Sequence, residues 1–143
     1  MSKVKTLIFV GALAMSFIAS AANTNTQKPK TMVMSFEIDK YKRDGKEWDN
    51  IPLASNPPPD VYGKVTLPND RTEDIPLHED SYQLKIVIQD VELKVGDLVH
   101  VELFDRDRGR QDDVIATGDI LYTGERETKE NLGKATVKVT FLE

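Results

Sequence analysis

The sequence predicts an all-β protein, an antiparallel β-sandwich of seven or eight short strands. Three observations predict it. Apolar residues recur at every second position over much of the chain. Turn-forming residues separate these runs at short intervals. No segment carries a long 3.6-residue period, the mark of an amphipathic helix.

The first 22 residues stand apart from this pattern. Lys3 and Lys5 form a basic start, residues 6–18 carry no charge and are mostly apolar, and Ala19, Ser20, Ala21 and Ala22 are all small. A membrane-spanning helix needs roughly 20 apolar residues, so this run is too short to be a good anchor. The pattern is that of a secretory signal peptide over residues 1–22, cleaved after Ala21 or Ala22. A periplasmic or secreted protein is expected, with no transmembrane segment after cleavage. Residues 23–31 read as a flexible leader of Thr, Asn, Gln and Lys, and residues 32–143 as one domain.

The strands follow in order. Met32, Met34, Phe36 and Ile38 alternate with Val33, Ser35 and Glu37. Residues 61–67 and 72–77 are weaker candidates. Tyr82, Leu84, Ile86 and Ile88 alternate with Gln83, Lys85 and Gln89. Val99, Val101 and Leu103 alternate with His100 and Glu102. Residues 114–122 form another weaker candidate. Val137, Val139 and Phe141 alternate with Lys138 and Thr140. Turns are signalled at Asp44 with Gly45, Pro57 to Pro59, Gly96 with Asp97, Gly109 and Gly124. The charged stretch 125–131, before Gly133, reads as one short helical turn.

The chain has no cysteine. Disulfides and a lipid-modified signal are thereby excluded, so an exported domain must rely on its core or on a bound metal. The formal charge is −5, and loss of Lys3 and Lys5 with the signal makes it −7. Such a chain is not drawn to nucleic acid by its overall charge. There is no Gly-x-Ser-x-Gly and no glycine-rich phosphate loop, and no enzymatic activity is expected.

The acids are concentrated. Residues 104–113 hold four aspartates and three arginines. If the strand of Val99, Val101 and Leu103 stays extended, Asp105 and Asp107 continue on its inward side. Two bare carboxylates so close repel each other, and a hard cation with oxygen ligands is the simplest remedy. The loop is not an EF-hand. With Asp105 first, the glycine falls at position 5 instead of 6, and position 12 is Ala116.

The spacing Asp105, Asp107, Asp113, straight after a strand, resembles the third calcium-binding loop of C2 domains. Gly96 and Asp97 precede that strand as a Gly-Asp turn does in the family. The run 59–65, with Asp60 and Tyr62, resembles the family's Ser-Asp-Pro-Tyr-Val-Lys-Val, and Asp44, Gly45, Trp48 and Asp49 fall in the first loop. The resemblance covers residues 32–143. It implies an eight-stranded C2-like sandwich that binds Ca²⁺ through Asp49, Asp60, Asp105, Asp107 and Asp113, with main-chain carbonyls of Trp48 and Arg106 adding ligands. Asp112 reads as an outward neighbour of these ligands. The resemblance also implies a calcium-dependent partner, an anionic membrane lipid or a protein. Arg106, Arg108 and Arg110 either grip headgroup or partner oxygens or balance the acidic loop. Ile51 and Leu53 either dip into a membrane or pack on the rim, and Trp48 reads as a packing residue. The alternative is a metal-independent interaction or structural sandwich with a degenerate site.

Overall fold

The computed structural model describes residues 31–48 and 57–143. The signal peptide over 1–22, the leader up to residue 30, and Asp49, Ile51 and Leu53 lie outside the described residues. The described chain forms β1 (Thr31–Ile38), β2 (Val61–Thr66), β3 (Thr72–His78), β4 (Gln83–Gln89), β5 (Leu98–Asp105), β6 (Asp113–Leu121), β7 (Glu127–Leu132) and β8 (Ala135–Leu142). They make two four-stranded antiparallel sheets, in the orders β4-β1-β8-β7 and β3-β2-β5-β6. This is the expected all-β, eight-stranded sandwich.

The alternation fixes which side chains face inward. On β1, Met32, Met34, Phe36 and Ile38 are all buried, and on β8 so are Ala135, Val137, Val139 and Phe141. The two strands pair Met34 with Val139 and Phe36 with Val137. From the other sheet, Val65, Val99, Val101 and Leu103 are buried in the same core. Each of these side chains larger than alanine contributes about 1.5–3 kcal/mol on burial. A slip by one residue would expose every one of them, which holds the register.

The stretch 125–131 is not a helical turn. Most of it falls within β7, which pairs with β8 from Glu127↔Thr140 to Leu132↔Ala135. The correction has a physical reason. β7 is an edge strand, and only Thr128 and Leu132 on it are even half-buried. Its other residues face water and can carry charge, so the alternation is erased. Gly133, at φ 62°, closes the two-residue hairpin.

Gly63 marks a second tight place. It lies opposite Leu103 of β5, beside an irregularity in the β2–β3 register. A Cβ there would fall 2.0 Å from the main-chain oxygen of Glu102. The obstacle is backbone, which cannot rotate away. Gly63→Ala is expected to cost about 3 kcal/mol, read as a lower urea midpoint. A midpoint equal to wild type would contradict this packing.

Candidate functional site

β5 leads the chain into the site. Val99, Val101 and Leu103 are buried along its inner face, and Asp105 takes the next inward position with 0% exposure. A carboxylate thus stands where the alternation would place another core residue. Asp105 Oδ1 accepts the Asp60 N–H at 2.9 Å, and the Arg106 N–H donates to the Asp60 carbonyl at 2.9 Å. These bonds tie the start of β2 to the end of β5.

β6 returns from the loop with one extra residue. Leu103 pairs with Ala116, yet Phe104 pairs with Val114, so the register shifts between them. Ile115 and Ala116 are consequently both buried, although adjacent in sequence. This bulge brings Asp113 opposite Asp105. An unbroken register would have set Val114 there instead. Bulges commonly re-aim side chains in this way. The tip of the β7–β8 hairpin supports it, since the Lys134 N–H donates to the Ile115 carbonyl at 2.8 Å.

Asp105, Asp107 and Asp113 each bring a carboxylate oxygen within 4.8 Å of the others. All three donors are carboxylate oxygens, a set suited to a hard divalent cation such as Ca²⁺. Asp107 and Asp113 line a cavity of about 720 Å³, and Asp60 lines it too. Its Oδ1 accepts the Asp80 N–H at 3.1 Å, and it is not one of the three that converge. Arg106, Arg108 and Arg110 also line this cavity. Trp48 is buried at 2% exposure, and its Nε1–H donates to the Asp39 carbonyl at 2.7 Å.

The cup has parts that the sequence did not reveal. The Lys42 ammonium pairs with Asp113 Oδ2, 71 positions away in the chain. Burial works to lower the Lys42 pKa, but the Asp113 hydrogen bond and the charges of Asp113, Asp107 and Asp105 outweigh it and hold the group above its ordinary value. The Tyr62 hydroxyl donates to Asp112 Oδ2 at 2.5 Å, and Asp112 Oδ1 accepts the Asp107 N–H at 3.0 Å. Asp112 therefore does not point at the triad's oxygens as a fourth member. It pins the loop that carries Asp107. No spacing signal links Tyr62 or Lys42 to this loop, because only the folded sheet brings them near.

No protein-family model matches the chain, and no curated protein matches it. Solved structures similar to it include the calcium-bound pair of C2 domains, A and B, of extended synaptotagmin 2, at 14% identity and a TM-score of 0.49, over 80% of this chain and 46% of that one. Another structure of the same two domains matches at 13% identity and a TM-score of 0.48, over 97% of this chain and 49% of that one. The first C2 domain, domain A, of a plant extended synaptotagmin 1 matches at 11% identity and a TM-score of 0.44, over 82% of this chain and 100% of that one. The chain spans about half the length of the two-domain structures it matches.

Two titrations act on the site in opposite directions. The Tyr62 hydrogen bond, then that of the Asp107 N–H, holds the Asp112 carboxyl below its ordinary range. Its stabilising contribution is present above the unfolded pKa and is lost as pH falls through the folded one. Burial pushes the Asp107 carboxyl up, the Lys42 charge pulls it down, and the Asp113 charge pushes it up again, for a net rise. Its contribution favours the fold when protonated and is lost as pH rises through that raised pKa. Asp107→Asn should therefore raise the urea midpoint of the metal-free protein at neutral pH. A lower midpoint would mean that its charge supports the fold. Tyr62→Phe should lower the urea midpoint slightly and quicken amide exchange across residues 106–112. Exchange unchanged there would remove the loop-pinning role.

Proposed function

We propose that the chain is an exported, calcium-binding, C2-like module that docks to anionic phospholipid through its aspartate loops. One observation carries the reading. Three carboxylates converge within 4.8 Å at the end of a β-sandwich, in the segment whose spacing resembles a C2 calcium loop. Asp105, Asp107 and Asp113 would hold the ion, and Asp60, which lines the adjoining cavity, and Asp49 are the further ligands that the resemblance implies. Bound calcium supplies concentrated positive charge that can bridge to phosphate oxygens.

The chain's own residues set the rest. The mature charge of −7 repels an anionic surface at long range. Arg106, Arg108 and Arg110 stand on the same rim as the cup, all exposed, where their guanidinium groups can meet phosphate. Once the aspartate charge is balanced, this end of the sandwich becomes locally cationic while the remainder stays acidic. The role is binding, with no covalent chemistry asked of any residue. The signal-like pattern of residues 1–22 supports a location in the periplasm or outside the cell. Among the described residues, no helix is long and apolar enough to cross a membrane.

A second reading is a metal-independent interaction domain, with a protein as its partner. The observation that favours it is the Lys42 ammonium, which already balances part of the carboxylate charge.

Calcium should raise the melting temperature, since a ligand of the folded state adds about 2.7 kcal/mol at 100 times its dissociation constant. Extracellular sites of this kind bind at roughly 10⁻⁴ to 10⁻³ M, so the titration must extend well into the millimolar range. Vesicles containing phosphatidylglycerol or phosphatidylserine should pellet the protein with calcium and not with chelator. Added salt should weaken pelleting, as charges are screened beyond about 8 Å at physiological ionic strength. Equal pelleting in chelator overturns the calcium bridge. A calcium-dependent melting shift with no pelleting moves the partner from lipid to protein.

A further inference from the structure

We infer that Lys42 is the cup's own counter-cation, so that metal binding is an exchange and the strength of the Lys42 contact sets the affinity. The inference rests on the calcium reading above and deepens it. Lys42 belongs to the loop between β1 and β2, where Tyr41 and Glu47 bridge as a short antiparallel pair. Its N–H donates to the Lys46 carbonyl at 2.7 Å, and its carbonyl accepts the Gly45 N–H at 3.1 Å. Gly45 takes φ 80° to close this turn, a conformation suited to glycine. The turn thus fixes the base of the Lys42 side chain.

The side chain then reaches inward. It is only 20% exposed, and its ammonium bonds Asp113 Oδ2 and lies 5.6 Å from the centre of the Trp48 ring. Lys46, on the same turn, behaves differently. It is 69% exposed and pairs with Asp44 at 3.1 Å. Of these two lysines, the turn directs one into the carboxylates and one away from them.

An ammonium and a hard dication compete for the same oxygens. Asp113 Oδ2 cannot serve both fully, and two cations a few ångströms apart repel strongly in a partly desolvated cup. Entry of the metal therefore requires Lys42 to leave the triad for the mouth. There its charge adds to those of Arg106, Arg108 and Arg110. The exchange also removes a cation from the face of Trp48, so indole fluorescence reports it directly.

The test is calorimetric calcium titration of the wild-type protein, Lys42→Gln and Lys64→Gln. Lys64 pairs with Glu102 at 2.8 Å on the outer face of β2 and controls for the loss of one charge elsewhere. Lys42→Gln should bind calcium at least about tenfold more tightly, equivalent to 1.4 kcal/mol, and should melt lower than wild type in chelator. Lys64→Gln should bind as wild type does. In the wild-type protein, calcium should change Trp48 emission, and in Lys42→Gln that change should shrink. Lys42→Met keeps the stem packed beside Trp48 and serves the same titration if the glutamine variant does not fold. A wild-type protein that binds calcium beside a Lys42 variant of equal or weaker affinity overturns the exchange alone. Failure of all the proteins to bind calcium overturns the calcium reading and the exchange with it.

Discussion

The structure of this end of the molecule follows from one buried carboxyl group. Asp105 occupies the last inward position of β5, after Val99, Val101 and Leu103, and has no solvent exposure. A carboxylate taken out of water costs several kcal/mol unless hydrogen bonds and opposite charge compensate it. The surroundings of Asp105 are arranged for that compensation. The Asp60 N–H is aimed at Oδ1, and the positive charge of Lys42 acts on the same carboxylate group. Yet Asp107 and Asp113 are brought in as well, which increases the demand for a cation. A domain selected for stability alone would place an apolar residue at 105. A carboxylate at this position, with two more beside it, is what supports the proposed cation binding.

The second requirement is register. β5 and β6 could pair without interruption only by setting Val114 against Asp105. The extra residue at the bulge moves Asp113 into that place and leaves Val114 exposed. The Ile115 carbonyl accepts the Lys134 N–H from the other sheet. A Cβ on Gly133 would sit 2.8 Å from that same carbonyl oxygen, so the hairpin tip can approach only with glycine there. The bulge that sets Asp113 opposite Asp105 is therefore held from the other sheet by backbone contacts.

This division explains what is legible in the sequence. Period-2 alternation is imposed by the core, so Met34, Phe36, Val101, Leu103, Val137 and Val139 announce their strands and their inward faces. The same parity, extended one step, puts Asp105 on the core side. β7 reads as a helical turn because an edge strand with one partner has little to bury, and Glu127, Lys129 and Glu130 carry no alternation. Lys42 and Tyr62 escape the sequence for a different reason. Each acts on a residue 50 or more positions away, and nothing local in a lysine or a tyrosine records such a partner. Asp112 stands outside the ligand set on sequence grounds, and its work in pinning Asp107 becomes visible only with the sheet assembled.

The charged edge has a consequence for a chain exported as proposed. β7 ends its sheet, so one side of its backbone offers donors and acceptors to any passing strand, the usual starting point for fibre growth. Glu127, Lys129 and Glu130 are all exposed on it, and Lys129 faces Lys138 across the pair with β8. A second molecule adding to this edge would have to strip water from these side chains. The chain has no disulfide to restrain its strands, and a charged, well-hydrated edge opposes strand addition to the folded sheet.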